Sequence, residues 1–495
     1  MPLMADSRAD VDVLIVGAGL SGIAAAYFLQ TKLPATTYAI LEGRDAIGGT
    51  WDLFRYPGVR SDSDMHTLGY SFRPWLGARS IVGGDEILAY IRETAQAYGI
   101  DRSIRFGHRV VRAAWSSANA RWTVDAHAGA DTTSVRLTCG FLFMCSGYYD
   151  YAAGYLPAWP GMERFRGPLI HPQQWPAGFD YAGKRVLVIG SGATAVTLVP
   201  SLAERAAHVT MLQRSPTYVV ARPSKNALVQ RLRRTFPAPL AGALARWYYL
   251  LFGMYFYRLA RRKPERVKNA IVSLARAQLG PDYDVATHFT PRYNPWDQRL
   301  CLAADGDLFA AIRAGTASIV TGEIERFTES GVELRSGESL DADAIVAATG
   351  LSMKLMGGVE IVVDDAVVDL SRTMSYKGMM FTGIPNLALC LGYTNASWTL
   401  KCELVARYVC RLVKYMDQHG YAACIARRNP AVAEEPAIGL TSGYVRRAEH
   451  VMPKQGTRRP WKLHQNYALD LAALRFGRLR DGVIEFIRAP SAPAA

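Results

Sequence analysis

VLIVGAGLSGIAAAYFLQ, residues 13–30, is the stretch on which the fold turns. Residues 11–16 form an apolar, Val/Ile-rich run of the buried-strand type. Gly17, Gly19 and Gly22 follow, and Ile23–Leu29 reads as an apolar helix. Glycines at this spacing permit a tight turn, close approach of the backbone to a pyrophosphate, and close packing of helix on strand. The helix N-terminus then offers free N–H groups to phosphates. A glycine triplet alone is weak evidence. The strand before it and the helix after it make this stretch a nucleotide site.

The pattern returns further on. Lys184–Ile189 is a strand, Gly190, Gly192 and Ala195 give a GxGxxA turn, and a helix follows to about Glu204. The predicted fold class is therefore α/β, with two Rossmann-like dinucleotide-binding domains. The strands after each turn can be compared directly: YAILEGR at 38–44 against VTMLQRS at 209–215. The first ends in Glu42, an acid that accepts hydrogen bonds from a ribose 2′-OH and repels a 2′-phosphate. That site prefers an unphosphorylated adenosine, as in FAD or NAD. In the second, Gln213 replaces the acid and Arg214 follows it. Loss of the acid with gain of a bidentate cation is the signature of a site for NADPH.

Composition narrows the class. The chain has 495 residues, which suggests two or three domains. Its seven cysteines are scattered without a CxxC pair. Neither a disulfide framework nor a zinc site is expected, and the setting reads as reducing and cytoplasmic. The N-terminal MPLMADSRADVD is charged and lacks an apolar core, so no secretory signal is expected. The net charge of +14 suits anionic cofactors, anionic lipid or nucleic acid, but no nucleic-acid motif accompanies it. A basic cluster, Arg258–Lys268, follows the aromatic run Trp247–Tyr257. That run falls short of the roughly 20 residues a spanning helix needs. Residues 247–268 fit either a core-facing helix with a solvated basic end or a helix lying on an anionic membrane surface.

Within 11–147 the order of elements fits one doubly wound domain. It includes an amphipathic helix at 85–98, short strands at 105–115, 120–127 and 134–138, and a separate buried strand, FLFMC, at 141–145. Residues 47–72 read as a long ordered loop, and such loops are usually functional. Gly48 and Gly49 would let the backbone approach a flavin there, while Asp62 and Asp64 either face a cation or nicotinamide or cap local turns. For Asp64 the turn cap is preferred. Residues 226–298 break the α/β rhythm with helical runs at 228–235, 239–261 and 264–278, an insertion in the second domain. Strand-like pieces at 317–320, 323–328 and 331–335 suggest a small β layer, and Ala344–Ala348 a buried strand. The chain then returns to the first domain through a strand within 382–398 and a helix at 399–418.

One site for FAD and one for NADPH imply hydride transfer from nicotinamide to flavin. The electrons then go to a thiol pair, another carrier or O2. The thiol route lacks its cysteines. The O2 route leads to a C4a-peroxyflavin, which needs a dry pocket and charge stabilisation. On this reading 1–150 is the first part of the FAD-binding domain and 151–180 a linker. The first NADPH-binding part is 181–225, the helical insertion 226–298 and the second NADPH-binding part 299–352. The second FAD-binding part and the tail are 353–495, ending in RAPSAPAA, which reads as disordered.

The linker carries a further pattern. Phe165, Gly167, His171, Trp175 and Pro176 fit every fixed position of the FxGxxxHxxxW(P/D) fingerprint of type I Baeyer–Villiger monooxygenases. N-hydroxylating and mammalian-type flavin monooxygenases usually carry Phe or Tyr where Trp175 stands. Gly49, Trp51, Tyr56, Pro57, Gly58 and Asp62 meet a second family pattern, GxWxxxxYPGxxxD. From end to end the chain is similar to the subgroup that includes the ethionamide-activating monooxygenase. The resemblance implies a flavin monooxygenase/disulfide-reductase-like fold and a peroxyflavin that inserts oxygen into apolar ketones to give esters, with oxygenation of thioether or thioamide sulfur. It implies that Arg299 lies over the flavin and stabilises anionic intermediates, and that Asp62 orients Arg299 and holds NADP. Gln298 stands where many relatives have Lys, which shifts phosphate binding toward Arg214. His171 is implied to be structural and to couple domain motion. The alternatives are a flavin N- or S-hydroxylase without ketone activity and an electron-transfer reductase. A homo-oligomer and a peripheral membrane contact stay open.

Overall fold

The computed structural model describes residues 9–129 and 133–488. The expectations for the first eight residues and for the tail beyond Arg488 lie outside the described residues. In the first sheet Val11–Val16 lies between Tyr38–Leu41 and Thr133–Met144, parallel to both. Alternate side chains of this strand serve two cores, as the period of two demands. Val13 and Ile15 pack with the helix Leu20–Lys32, whereas Leu14 and Val16 pack with Trp122, Leu142 and Met144 of the β layer. The helix Trp398–His419 covers the first core, sending Leu404, Val405 and Tyr408 into it. The chain returns to this sheet twice, pairing Leu387–Leu389 with Leu142–Met144 and Glu360–Val363 with Arg112–Trp115.

Two elements differ from the sequence reading. The strands expected at 134–138 and 141–145 are not separate but merge into the continuous strand Thr133–Met144, which ends one residue before Cys145. Its first half pairs antiparallel with Arg121–Ala128 and its second half parallel with Val11–Val16. Cys139 is the changeover, paired with Trp122 on one side and Val11 on the other, so Gly140 interrupts nothing. The piece at 317–320 is not part of the small β layer either. Ala317–Thr321 is the edge strand of the second sheet, parallel to His208–Gln213, with Ala317 and Ile319 buried in that domain's core. The small layer consists of Ile324–Phe327, Gly331–Leu334 and Ser339–Asp341.

The second sheet runs Ala317–Thr321, His208–Gln213, Arg185–Ile189, Ala344–Ala347 and Leu169–Ile170, all parallel. The last of these strands lies inside the fingerprint. The stretch 151–180 is therefore more than a connection, since it supplies the far edge of the sheet.

Helices Ala227–Thr235, Ala238–Arg262, Pro264–Leu279 and Val285–Phe289 form the inserted layer. Asn226 starts the first by accepting from Leu228 N–H, and Asp284 starts the last by accepting from Thr287 N–H. Arg246 binds this layer to the first domain. Its guanidinium donates to Gly69 O at 2.6 Å and to Glu403 Oε2 at 3.2 Å. Among the described residues no helix is long and apolar enough to cross a membrane.

Candidate active site between the two nucleotide turns

The two glycine turns have steric requirements that can be read atom by atom. Gly17 has φ +106° and Gly190 φ +139°, conformations that side-chain-bearing residues avoid. A Cβ on Gly17 would lie 2.7 Å from Cys145 O, and one on Gly190 2.3 Å from Ala348 O. At Gly22 a Cβ would meet Gly17 O at 1.9 Å. At the matching position of the second turn a methyl is accommodated, and Ala195 is fully buried. Gly19 and Gly192 are the N-caps of helices Leu20–Lys32 and Ala193–Ala203, and neither end has a side-chain cap. Their first-turn N–H groups are left to a ligand.

These turns flank a cavity of about 500 Å³. Of the residues singled out in the sequence, Gly17, Gly19, Glu42, Gly48, Gly49, Trp51, Tyr56, Asp62 and Arg299 line it. Thr194 and Thr197 of the second nucleotide helix also face it. Gly22 lies behind the first turn. Gly190, Gly192, Ala195, Arg214, Gln298 and all five fingerprint residues lie outside the cavity wall.

The 47–72 segment brings the domains together. It is ordered as two short helices, Thr50–Leu53 and Met65–Leu68, joined by the YPG turn. Asp64 caps the second helix by accepting from Thr67 N–H at 2.8 Å. Tyr56 is buried in the core of the second domain, and burial pushes its phenol up to about 12. Gly58, at φ +74°, sits so close to the second nucleotide helix that a Cβ would come 1.9 Å from Ser201 Oγ and 3.0 Å from Thr197 O. The turn thus reaches from the first domain onto the second and delivers Asp62 to the cavity.

Asp62 Oδ2 lies 3.6 Å from Arg299 Nη2, with side chains 33% and 36% accessible. That surface opens into the cavity, so the guanidinium is held from one side and free on the other. Asp62 holds the Arg299 proton more firmly than usual against the opposing effect of burial. Tyrosines enclose the pair. Tyr148 and Tyr149 share a hydroxyl contact of 2.6 Å, and Tyr148 stacks on Trp398 at 5.0 Å. Tyr444, from the tail helix Gly443–Ala448, is pushed up to about 12 by burial. Burial also raises Tyr148 and Tyr149, so these phenols stay neutral beside the cation. Sequence reasoning did not single them out. The cluster YYDY at 148–151 was the available signal, but Tyr444 is distant in sequence and had none.

Glu42 is buried at the end of its strand. Its Oε2 accepts from Ala18 N–H at 2.7 Å and its Oε1 from Arg44 N–H at 2.9 Å. Burial raises its pKa, partly countered by these two bonds. Gln213 is buried and committed elsewhere, donating to His288 O at 2.9 Å and Thr321 Oγ1 at 3.0 Å. Arg214 beside it is exposed, with no carboxylate within 4.0 Å among the described residues. Gln298 is partly exposed, in an irregular segment bridged to Pro295.

The fingerprint packs on the second domain. Phe165 joins Phe327 and Ile345, while Trp175 stands edge-on to Phe179 at 5.8 Å. A Cβ on Gly167 would lie 2.7 Å from Asp343 O. His171 accepts at Nδ1 from Gln173 N–H at 3.2 Å, which leaves its Nε2–H to donate to Gly350 O at 3.0 Å. Burial lowers its pKa, so the ring is neutral.

The cavity suits a dinucleotide with a flat ring. It has uncapped helix ends, a close-approach backbone and two buried polar atoms without partners among the described residues, Ser146 Oγ and Arg44 Nε, on residues of its wall. Such atoms call for a ligand's hydrogen bonds.

Comparison with known proteins agrees with this geometry. The flavin-binding monooxygenase-like family matches residues 79–420, and an NAD(P)-binding Rossmann-like domain matches 15–76. The chain is 52% identical over 483 residues to the FAD-containing monooxygenase EthA of Mycobacterium tuberculosis, covering 97% of this chain and 98% of the relative. It is 45% identical to the probable FAD-binding monooxygenase AlmA of Acinetobacter baylyi, covering 96% of each. Among solved structures, oxidized steroid monooxygenase bound to NADP superposes with a TM-score of 0.75 at 22% identity, covering 97% of this chain and 99% of that one. A complex of OTEMO with FAD and NADP gives a TM-score of 0.69 at 21% identity, covering 85% and 88%.

Proposed function

The chain belongs to the flavin-binding monooxygenase-like family; on that premise we propose that it is an FAD- and NADPH-dependent monooxygenase that inserts oxygen into apolar ketones in the Baeyer–Villiger manner. One ketone, O2, NADPH and a proton give one ester, water and NADP+. Sulfur of thioethers and thioamides is oxygenated at the same site, as the resemblance read from the sequence implies. The observation that carries the proposal is the Arg299–Asp62 pair in a cavity flanked by two nucleotide turns.

When bound, FAD would supply the redox chemistry, hydride acceptance and O2 activation. The chain's own residues do the rest. Gly17, Gly19 and Gly22 let the backbone carry the pyrophosphate, and Glu42 takes the ribose. Gly190, Gly192 and Ala195 do the same for NADPH, whose 2′-phosphate falls to Arg214, with Gln298 contributing less than a Lys would. Gly49 and Trp51 close the flavin side of the cavity. Arg299 supplies positive charge where negative charge develops on the attacked carbonyl oxygen. Asp62 aims that charge and keeps the nicotinamide placed. Tyr148, Tyr149 and Tyr444, kept neutral by burial, wall off water without cancelling the cation.

The domain plan is part of the same proposal. FAD-binding parts lie at 1–150 and 353–495 and NADPH-binding parts at 181–225 and 299–352, with an insertion at 226–298. The fingerprint at 151–180 acts as hinge, and Phe165, Gly167, His171, Trp175 and Pro176 move with the second domain. Its neutral His171 holds Gly350 and performs no proton transfer.

Product analysis on a linear methyl ketone with NADPH and O2 tests the reading. Ester formation is expected. Sulfoxide from a thioether with no ester from any ketone points to the S-hydroxylase alternative. Peroxide equal to the NADPH consumed, with no oxygenated product, points to a reductase.

A further inference from the structure

The helix Ala238–Arg262 has an outer face that a solvated helix should not have. Leu240, Leu244, Trp247, Leu251 and Tyr255 recur at spacings of three and four and fall within an arc of about 80°. They are exposed by 47%, 37%, 46%, 57% and 64%. Arg258 and Arg262 continue the same stripe in the last turn. The opposite face is the packed one, with Ala241, Ala245 and Tyr249 buried. The charge around the stripe has one sign. From Asn226 to Pro264 there is no Asp or Glu, and Arg231, Arg233 and Arg234 are exposed beside the stripe's beginning. Arg234, Arg258 and Arg262 have no carboxylate partner among the described residues.

The same helix walls a second cavity, of about 170 Å³. Tyr249, Leu250, Phe252, Met254 and Phe256 line it on the helix side. Phe252 is both part of this wall and 41% exposed. Gly253 beside it is exposed, with nothing within 4 Å of where a Cβ would stand. The mouth is thus at Phe252–Gly253, on the side of the helix turned away from the stripe, about 100° and 160° round from its centre. At its inner end the cavity shares Asp62, Ser63, Leu302, Tyr393 and Ala396 with the wall of the active-site cavity.

We propose that this helix lies on the surface of an anionic phospholipid bilayer and so holds the active site close to apolar substrate dissolved in the lipid. A contiguous exposed apolar stripe marks a protein or membrane interface. The unpaired arginines choose between them. They repel a second copy of this chain, whose matching face carries the same charges, and they attract anionic headgroups. Aromatic Trp247 and Tyr255 suit the headgroup level, while the leucines suit the acyl boundary. The benefit to substrate supply rests on the function proposed above. The docking does not.

The test is co-sedimentation of the full-length chain with vesicles of phosphatidylcholine alone, or of phosphatidylcholine and phosphatidylglycerol in equal parts. Binding to the anionic vesicles is expected, and it should weaken with salt. The double variant Leu251→Glu/Tyr255→Glu is expected to lower partitioning by about tenfold or more. Both positions are exposed and lie outside either cavity, so NADPH-dependent turnover of a short water-soluble ketone should be unchanged, while turnover of a vesicle-borne long ketone falls. Arg258→Glu/Arg262→Glu provides a second, independent loss of partitioning should the first variant fold poorly. Equal partitioning of wild type and variants overturns the proposal, as does failure of the wild type to bind anionic vesicles. A wild-type dimer that the first variant converts to monomer assigns the stripe to a second copy and overturns it too. If no ketone is turned over at all, the proposed function fails and the partitioning result still stands by itself.

Discussion

Replacing Arg299 by Ala separates the two halves of the proposed reaction. The structure sets the scale. At 3.6 Å from Asp62, a unit charge pair attracts by about 1.2 kcal/mol in water and about 4.6 kcal/mol at an effective dielectric of 20. Both side chains are about one-third accessible, so the lower end applies, about 1–2 kcal/mol. Asp62 therefore aims the guanidinium without neutralising it. The charge remains available to an oxyanion, and loss of one such donor costs about 10²–10³ in rate. Arg299→Ala should lose ester formation by that factor while the flavin is still reduced by NADPH. Asp62→Asn, which removes only the aiming charge, should lose about tenfold. Stopped-flow absorbance under anaerobic conditions reads the reduction, and chromatography of the ester reads the insertion. Ester formation within threefold of wild type in Arg299→Ala would refute the assignment. So would a parallel loss of flavin reduction, because Arg299 would then be serving nicotinamide placement alone.

Other expectations concern single residues elsewhere. Arg214→Ala should raise the KM for NADPH about tenfold or more and leave that for NADH nearly unchanged, because one bidentate phosphate contact is lost; equal changes would place the 2′-phosphate elsewhere. Arg246→Met should lower stability by about 3 kcal/mol in urea titration, because it leaves the buried Glu403 without its cation; a change under about 1 kcal/mol would mean that water reaches the carboxylate. His66 is buried against Tyr249, neither ring nitrogen has a partner among the described residues, and burial lowers it to about 4. The unfolded chain takes up this proton first, so its effect is absent above about pH 6.5 and destabilises as pH falls toward 4. His66→Phe should therefore gain about 2 kcal/mol relative to wild type at pH 5 and little at pH 8; parallel pH profiles of urea stability would contradict the buried neutral ring.

The sequence by itself determined the two nucleotide turns, because their requirements are local. A strand, a glycine that must take a positive φ, and an uncapped helix end all lie within a few residues of one another. The contrast between Glu42 and Arg214 is also local, being one position in two copies of the same unit. Arg299, and the pairing of Asp62 with it, were reached only through family resemblance, since no spacing rule joins residues 237 positions apart. The fold decides that they meet. Gly58 presses the YPG turn onto the second nucleotide helix, and the segment after the insertion brings Arg299 back to the same cavity. Tertiary structure also decided what strand propensity could not. Thr133–Met144 is one strand because Cys139 has a partner on each side, and Ala317–Thr321 joins the large sheet because its apolar face fits that core. The fingerprint in the linker gave its family away in sequence, yet its role as an edge strand and packed anchor of the second domain rests on partners far along the chain. The same holds for the helix Ala238–Arg262. Its apolar aromatic run is legible in sequence, but only packing shows that Leu240, Leu244, Trp247 and Leu251 face outward while Ala241 and Ala245 face in. Periodicity reveals that a helix has two faces, and only the position of its neighbours determines which one is buried.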